Sequence, residues 1–265
     1  VSTSFLLKLA LSFLIGGLWI TVASVAAERM GSKIGGVIGG LPSTAVVAFG
    51  FIGWTQGADQ VYEATTAFPL AFAANAFYLV AYAALSPRGL WAGIGAALLT
   101  WLSGEALVLW LDINSVWVSI VVWIAALVIA YLALERGLGV RSHGRIKIQY
   151  TAGQMLGRAA FAGGIVALAV LGSQVGGPIW GSIFAAFPAL FTSTLILVSR
   201  SAGVAFSRSL ATPLMISSIV NVTVFVLALR FVVLHLPLIG ALLAAYSISM
   251  MSAYGTYWFI KKYVQ

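Results

Sequence analysis

The sequence predicts an all-α polytopic membrane protein. Of its 265 residues 62% are hydrophobic and 8% charged, and the mean hydropathy is +1.06. That leaves too little polar surface to cover a soluble core. Apolar runs of about 20 residues, the length a helix needs to cross the hydrocarbon layer, alternate with short polar breaks. The short alternating segments of an outer-membrane barrel are missing. A further observation sets the internal plan. The stretch Gly35-Gly36-Val37-Ile38-Gly39-Gly40-Leu41-Pro42-Ser43-Thr44 returns, altered, at Gly181-Ser182-Ile183-Phe184-Ala185-Ala186-Phe187-Pro188-Ala189-Leu190. Its two prolines lie 146 positions apart, and the same offset carries Gly17 onto Gly163, Gly31 onto Gly177, Gly57 onto Gly203 and Asn75 onto Asn221. Coincidences at one gapless spacing predict an internal duplication.

Nine spans follow, over residues 4–27, 34–55, 64–85, 89–111, 115–134, 153–173, 178–199, 210–233 and 237–260. The first could pass for a signal peptide, with Lys8, an apolar run to Val22 and then Ala23-Ser24-Val25-Ala26-Ala27. Its length and its place in the duplication favour a transmembrane helix. The other spans are separated by charges that test the count. With the 136–152 loop (Arg136, Arg141, His143, Arg145, Lys147) in the cytoplasm, Arg29, Lys33, Arg88, Arg200, Arg208, Lys261 and Lys262 also fall inside. Asp59, Glu63 and Asp112 then fall outside. This positive-inside pattern puts the N-terminus out and the C-terminus in. Lys8 and Arg230 depart from it and are expected to snorkel toward the outer interface.

One transmembrane domain, 1–265, results: repeat one over 1–111, a connector helix in 112–135, the basic loop 136–152, and repeat two over 153–265. A single connector span inverts the second four-helix repeat relative to the first. Inverted-topology repeats are a common transporter plan, with the binding site near the bilayer midplane.

Lys33-Ile34-Gly35-Gly36-Val37-Ile38-Gly39-Gly40-Leu41-Pro42, followed by Thr55-Gln56-Gly57 and the aromatic helix 72–82, resembles the small four-helix inner-membrane proteins of the GlpM type. The likeness covers each half separately. It is closer in the first half than in the second, where Ala185 and Ala186 replace Gly39 and Gly40. It implies two fused units in an inner membrane and carries no activity with it.

Candidate site residues come in pairs. Pro42 and Pro188 fall near the midplane of their spans, followed by the hydroxyls Ser43 and Thr44, and Thr192 and Ser193. A proline there frees a carbonyl, and flanking glycines admit close approach. The pair reads either as two discontinuous helices that bind solute or as tolerated kinks. Asn75 and Asn221 sit in mid-span, where each amide needs partners: a shared ligand, one another, or an interhelical hydrogen bond that holds the two repeats together, and the pair is expected to mark the pseudo-two-fold axis. Glu105 lies inside a span at a cost of about 2.5–3.5 kcal/mol, which suits cation coordination, proton coupling, an ion pair or a place near the interface. Arg158 and Arg230 read either as cavity arginines that bind an anionic solute through the planar guanidinium or as interfacial residues or partners of Glu105, the second reading being preferred. Trp54, Trp91, Trp110, Trp117, Trp180 and Trp258 fall at helix ends, as interface anchors do, and Gly153-Gln154-Met155-Leu156-Gly157 reads as helix packing.

Other chemistries lack their residues. No cysteine is present, so disulfides and thiolate chemistry are excluded. His143 and His235 lie far apart, and no nucleophile elbow or phosphate-cradling loop appears. An enzyme is not expected, nor any cofactor; the identity of any metal is left open. The net charge of +8 reads as topology signals and lipid contacts, not as a nucleic-acid surface. The expected partners are the bilayer, a small ion or polar solute (a cation somewhat favoured by the acidic residues), and a second copy if polar midplane residues serve an interface. A transporter leads, with a passive channel and a structural subunit of a membrane complex as alternatives.

Overall fold

The computed structural model describes residues 3–29, 41–140 and 151–263, and every regular element among them is helical. The first half contains α1 (Thr3–Arg29), α2 (Ser43–Gln56), α3 (Ala58–Leu85) and α4 (Leu90–Leu111), with α5 (Val116–Leu132) following. The second half contains α6 (Ala152–Gly176), α7 (Pro178–Ala185), α8 (Ala189–Ala202), α9 (Val204–Ser209), α10 (Ala211–Leu214), α11 (Val220–Val232) and α12 (Leu238–Tyr263). Eight stretches among the described residues are long and apolar enough to cross a membrane. The chain is a multi-pass helical membrane protein.

Several predicted boundaries move. The second expected span, 34–55, begins outside the described residues, where Gly31, Lys33, the Gly35–Gly40 run and the basic residues Arg141 to Lys147 also lie. Its described part, α2, has 14 residues, about 21 Å at 1.5 Å per residue. The third span starts at Ala58, so Asp59 and Glu63 belong to the first turns of α3 and not to a loop. Asp59 there complements the positive end of the helix dipole. The predicted 178–199 span is two helices, α7 and α8, separated at Ala186–Pro188. The predicted 210–233 span begins at Val204 and is interrupted by a π turn at Met215–Ile219.

Local chemistry explains the ends. Thr151 opens α6 with a reciprocal capping box: Gln154 N–H donates to Thr151 Oγ1 (3.3 Å) and Thr151 N–H to Gln154 Oε1 (2.9 Å). Gly57 and Gly203 join consecutive helices at φ of 96° and 87°, a region that L side chains avoid. The prolines behave differently from a mid-helix kink. Pro42 (φ −76°, ψ 51°) and Pro188 (φ −75°, ψ 44°) each immediately precede the first residue of a helix. Each is the centre of an inverse γ-turn, with Ser43 N–H donating to Leu41 O (2.8 Å) and Ala189 N–H to Phe187 O (2.7 Å). The fixed φ of proline suits this turn, and its missing N–H is no loss at a helix start.

α3 is the hub. It is buried along most of its length, whereas α5 is buried at only a few positions such as Ser119, Ala126 and Ala130. Alanines such as Ala64, Ala71, Ala76 and Ala83 let neighbours approach closely. α1 and α6 pack backbone to backbone. A Cβ at Gly17 would lie 2.8 Å from the carbonyl oxygen of Ala159, and one at Gly163 would strike that of Phe13. The numbers rise along one helix as they fall along the other, so the pair is antiparallel. Gly153 and Gly157, expected to pack, face nothing within 4 Å; the close approach lies further along α6, where α1 crosses it.

The basic side chains expected at the interface are tied to the fold. Lys8 donates to Trp54 O (3.1 Å) and lies 5.1 Å from that indole. Arg230 neither snorkels nor pairs with Glu105. It donates to Tyr62 O (2.8 Å), Thr65 Oγ1 (3.1 Å) and Thr66 Oγ1 (2.8 Å), and stacks on the Tyr62 ring at 3.8 Å. Arg208 does the same at the other end of α3, donating to Ala83 O (2.7 Å) and Leu138 O (3.0 Å). Arg230→Met is expected to cost about 1.5–3 kcal/mol, the worth of a charge-assisted hydrogen bond, in a reversible unfolding measurement in detergent. Arg230→Lys recovers part of that loss, because an ammonium lacks the planar stack on Tyr62.

Candidate functional site

The second proline break is where buried polar groups converge. α7 ends at Ala185, and Asn75 of α3 donates its Nδ2 to the carbonyl of Ala186 (2.8 Å). Three residues on, Tyr78 Oη meets Thr192 Oγ1 at 2.9 Å, and Thr192 donates back to Pro188 O (2.8 Å). One further turn along α3, Tyr82 Oη bonds Ser207 Oγ, and nearer its start Ala64 O accepts from Ser182 Oγ. One polar stripe of α3 therefore holds both pieces of the broken span. Thr192 is thus brought to the break by α3. Ser193 turns to its own helix instead, donating to Leu190 O (3.2 Å).

α4 closes the side of this region. Trp101 meets the ring of Phe187 edge-on at 4.9 Å, and Phe161 of α6 meets it at 5.8 Å. Glu105, one turn beyond Trp101, is 4% exposed, so its carboxylate does not reach water. No hydrogen bond of good geometry reaches either carboxylate oxygen, although the Trp101 indole N–H is the donor beside them; Asn75 Oδ1 likewise has no partner among the described residues. The Asn75 amide orientation is fixed by chemistry: only its NH₂ can donate to the Ala186 carbonyl, so the oxygen is the atom left over.

The expected symmetry of the asparagines fails. Asn221 spends its amide within the second half, donating to Thr256 Oγ1 (3.2 Å) and accepting from Ser252 Oγ (2.9 Å), while Ser249 donates to its backbone carbonyl (2.9 Å). It does not face Asn75. α12 presents hydroxyls there, whereas α4 offers Ala106 and Trp110 at the positions 146 residues earlier. Met251, the counterpart of Glu105, is 77% exposed. Pro42 is buried at the start of α2, with Ser43 and Thr44 half-buried; the Ser43 hydroxyl lies 3.4 Å from Leu41 O.

A second polar cluster joins the halves at the junction of α2 and α3. Ser173 Oγ donates to Gln56 Oε1 (2.8 Å), and Gln60 Nε2 donates to Ser173 Oγ (3.2 Å). Gln56 Nε2 also reaches Val170 O (3.2 Å). The tryptophans named as anchors are exposed, from 39% for Trp180 to 79% for Trp110, as side chains facing lipid or its interface should be. Among the described residues no group of three or more His, Cys, Asp or Glu could hold a metal ion.

The site and fold define a class, a multi-pass helical membrane protein with a polar break buried inside it. No protein-family model, characterised protein or solved structure matches the chain.

Proposed function

We propose that the protein is a transporter of a small ion or polar solute, built from two inverted four-helix repeats around the paired proline breaks. Helix boundaries support the duplication: α2 and α8 are each 14 residues long, and their starts differ by the sequence offset of 146. The γ-turns at both prolines, the glycines that end both helices, and the reciprocal contacts Gly17–Ala159 and Gly163–Phe13 obey the same offset. The antiparallel packing of α1 on α6, equivalent helices of the two halves, is what inversion requires. On this reading nine spans cross an inner membrane with the N-terminus outside, and the likeness to fused GlpM-type units accounts for the arrangement.

The single observation that carries transport is the set of unpartnered oxygens beside the Ala186–Pro188 break. A lipid-embedded fold normally satisfies buried polar groups, and those left over mark solute pathways. A purely structural subunit has no use for them. The test is charge movement in proteoliposomes on a solid-supported membrane, stepped through a panel of cations, anions and small metabolites. The expected result is a current with one solute class that falls at least about tenfold in Asn75→Leu, since a buried polar contact is worth about 1–3 kcal/mol. No response across the panel, with intact protein in the vesicles, would remove the transport reading.

A further inference from the structure

We propose that Glu105 and the side-chain oxygen of Asn75 form a binding site for one monovalent alkali cation beside the Ala186–Pro188 break. The inference deepens the transport reading and rests on it for the use of the site. α3 and α4 approach closely at Gly104. A Cβ on Gly104 would lie 2.8 Å from Ala74 Cβ, so these two residues face each other. The helices run antiparallel, joined by the short turn at Ser86–Gly89. Advancing one residue along each rotates the side chain by about 100°, and in an antiparallel pair both rotations lead to the same side. Asn75 and Glu105 therefore emerge together. Their neighbours on that side confirm the direction, because Tyr78 and Trp101 both touch the broken span, at Thr192 and Phe187.

The atoms left without partners there define the ligand. Asn75 Oδ1 and the two oxygens of Glu105 are buried and accept no hydrogen bond of good geometry among the described residues; the Trp101 indole is the one donor beside the carboxylate and cannot serve both of its oxygens. Ionised carboxylate and amide oxygens only accept, so the complement is a cation or a donor. Hard oxygen ligands suit alkali and alkaline-earth ions, not soft metals. Charge decides between those two. One carboxylate neutralises one positive charge, whereas a divalent ion would leave a net charge buried in the span, which costs several kcal/mol. Arg230 is not the missing cation, since its guanidinium is held at Tyr62, Thr65 and Thr66, more than two turns away along α3. Duplication does not double the site: Met251 replaces Glu105, and Asn221 is already hydrogen-bonded. The stoichiometry is one ion per chain.

Equilibrium binding of radiolabelled sodium and rubidium to the purified full chain tests this, with lithium, potassium and calcium as competitors. The expected result is saturable binding of one ion per chain, competed by monovalent ions. Glu105→Gln weakens it at least about tenfold, the usual scale for removing one partner of a buried charge pair. Asn75→Asp adds a second carboxylate and makes calcium an effective competitor, which keeps the inference testable should Glu105→Gln fail to fold. Absence of saturable binding of either isotope, or binding indifferent to both substitutions, would overturn it. The two readings separate cleanly. Ion binding without flux in proteoliposomes leaves the site and removes transport; flux of another solute without alkali-ion binding removes the site and leaves transport.

Discussion

Alanine at Gly163 is expected to be the most damaging single methyl group in the protein. The added carbon meets the backbone carbonyl of Phe13, and backbone cannot rotate aside as a side chain can. Overpacking costs about 1–3 kcal/mol when side chains absorb it, so Gly163→Ala is expected at or above the upper end. Gly17→Ala, facing Ala159 O at 2.8 Å, is expected to be the next worst. Gly157→Ala and Gly164→Ala, on the same helix α6, meet nothing within 4 Å. They are expected to be neutral or slightly stabilising, because alanine is the better helix former. Unfolding of the four variants side by side in detergent checks the ranking. Equal stabilities would mean that α1 and α6 are not packed as described.

The second large effect is expected at Asn75. In Asn75→Leu the Ala186 carbonyl loses its donor while staying buried, at a cost of about 1–3 kcal/mol. On the proposed reading the same change also removes an acceptor oxygen of the cation site, so transport is expected to fall together with stability. Asn221→Leu supplies the contrast. It breaks contacts to Ser252 and Thr256 within the second half, so it is expected to lower stability by a similar amount while leaving binding at the break intact. A transport or binding assay, normalised to folded protein, separates the two. Equal loss of function in both variants would say that the asparagines act as a symmetric pair after all.

The apolar runs made most of the helices legible in the sequence, and the helix starts at Ser43 and Ala189 keep the 146-residue offset, although the sequence reading set both prolines inside a span. The prolines pointed to the breaks, but not to their form. Hydropathy is blind to whether a proline kinks a helix or starts one, and the γ-turns of Leu41–Ser43 and Phe187–Ala189 are decided by backbone dihedrals. Glu105 was legible because a carboxylate inside an apolar run is costly wherever it points. Tyr78, Tyr82 and Trp101 were not, since aromatic residues in an aromatic helix look like packing. Only the facing of α3 toward α7 and α8 shows that they touch the break. Asn221 could not be told apart from Asn75 for a related reason: the sequence places two asparagines at equivalent positions, but their partners come from α12 in one half and from the Ala186 carbonyl in the other. Spacing along a chain does not encode which neighbouring helix supplies a hydroxyl.

The absence of cysteine from the chain opens the most direct test of the central claim, that solute passes the paired proline breaks. Single cysteines at Ser43 and Ser193, both half-buried beside a break, can be treated with a membrane-impermeant thiol reagent from either side of sealed vesicles. Transport through the breaks predicts that at least one of them reacts in intact vesicles, at a rate that changes when the transported solute is added. Cysteines that react from neither side, with or without solute, in protein that remains folded would contradict the account and leave the breaks as packing devices.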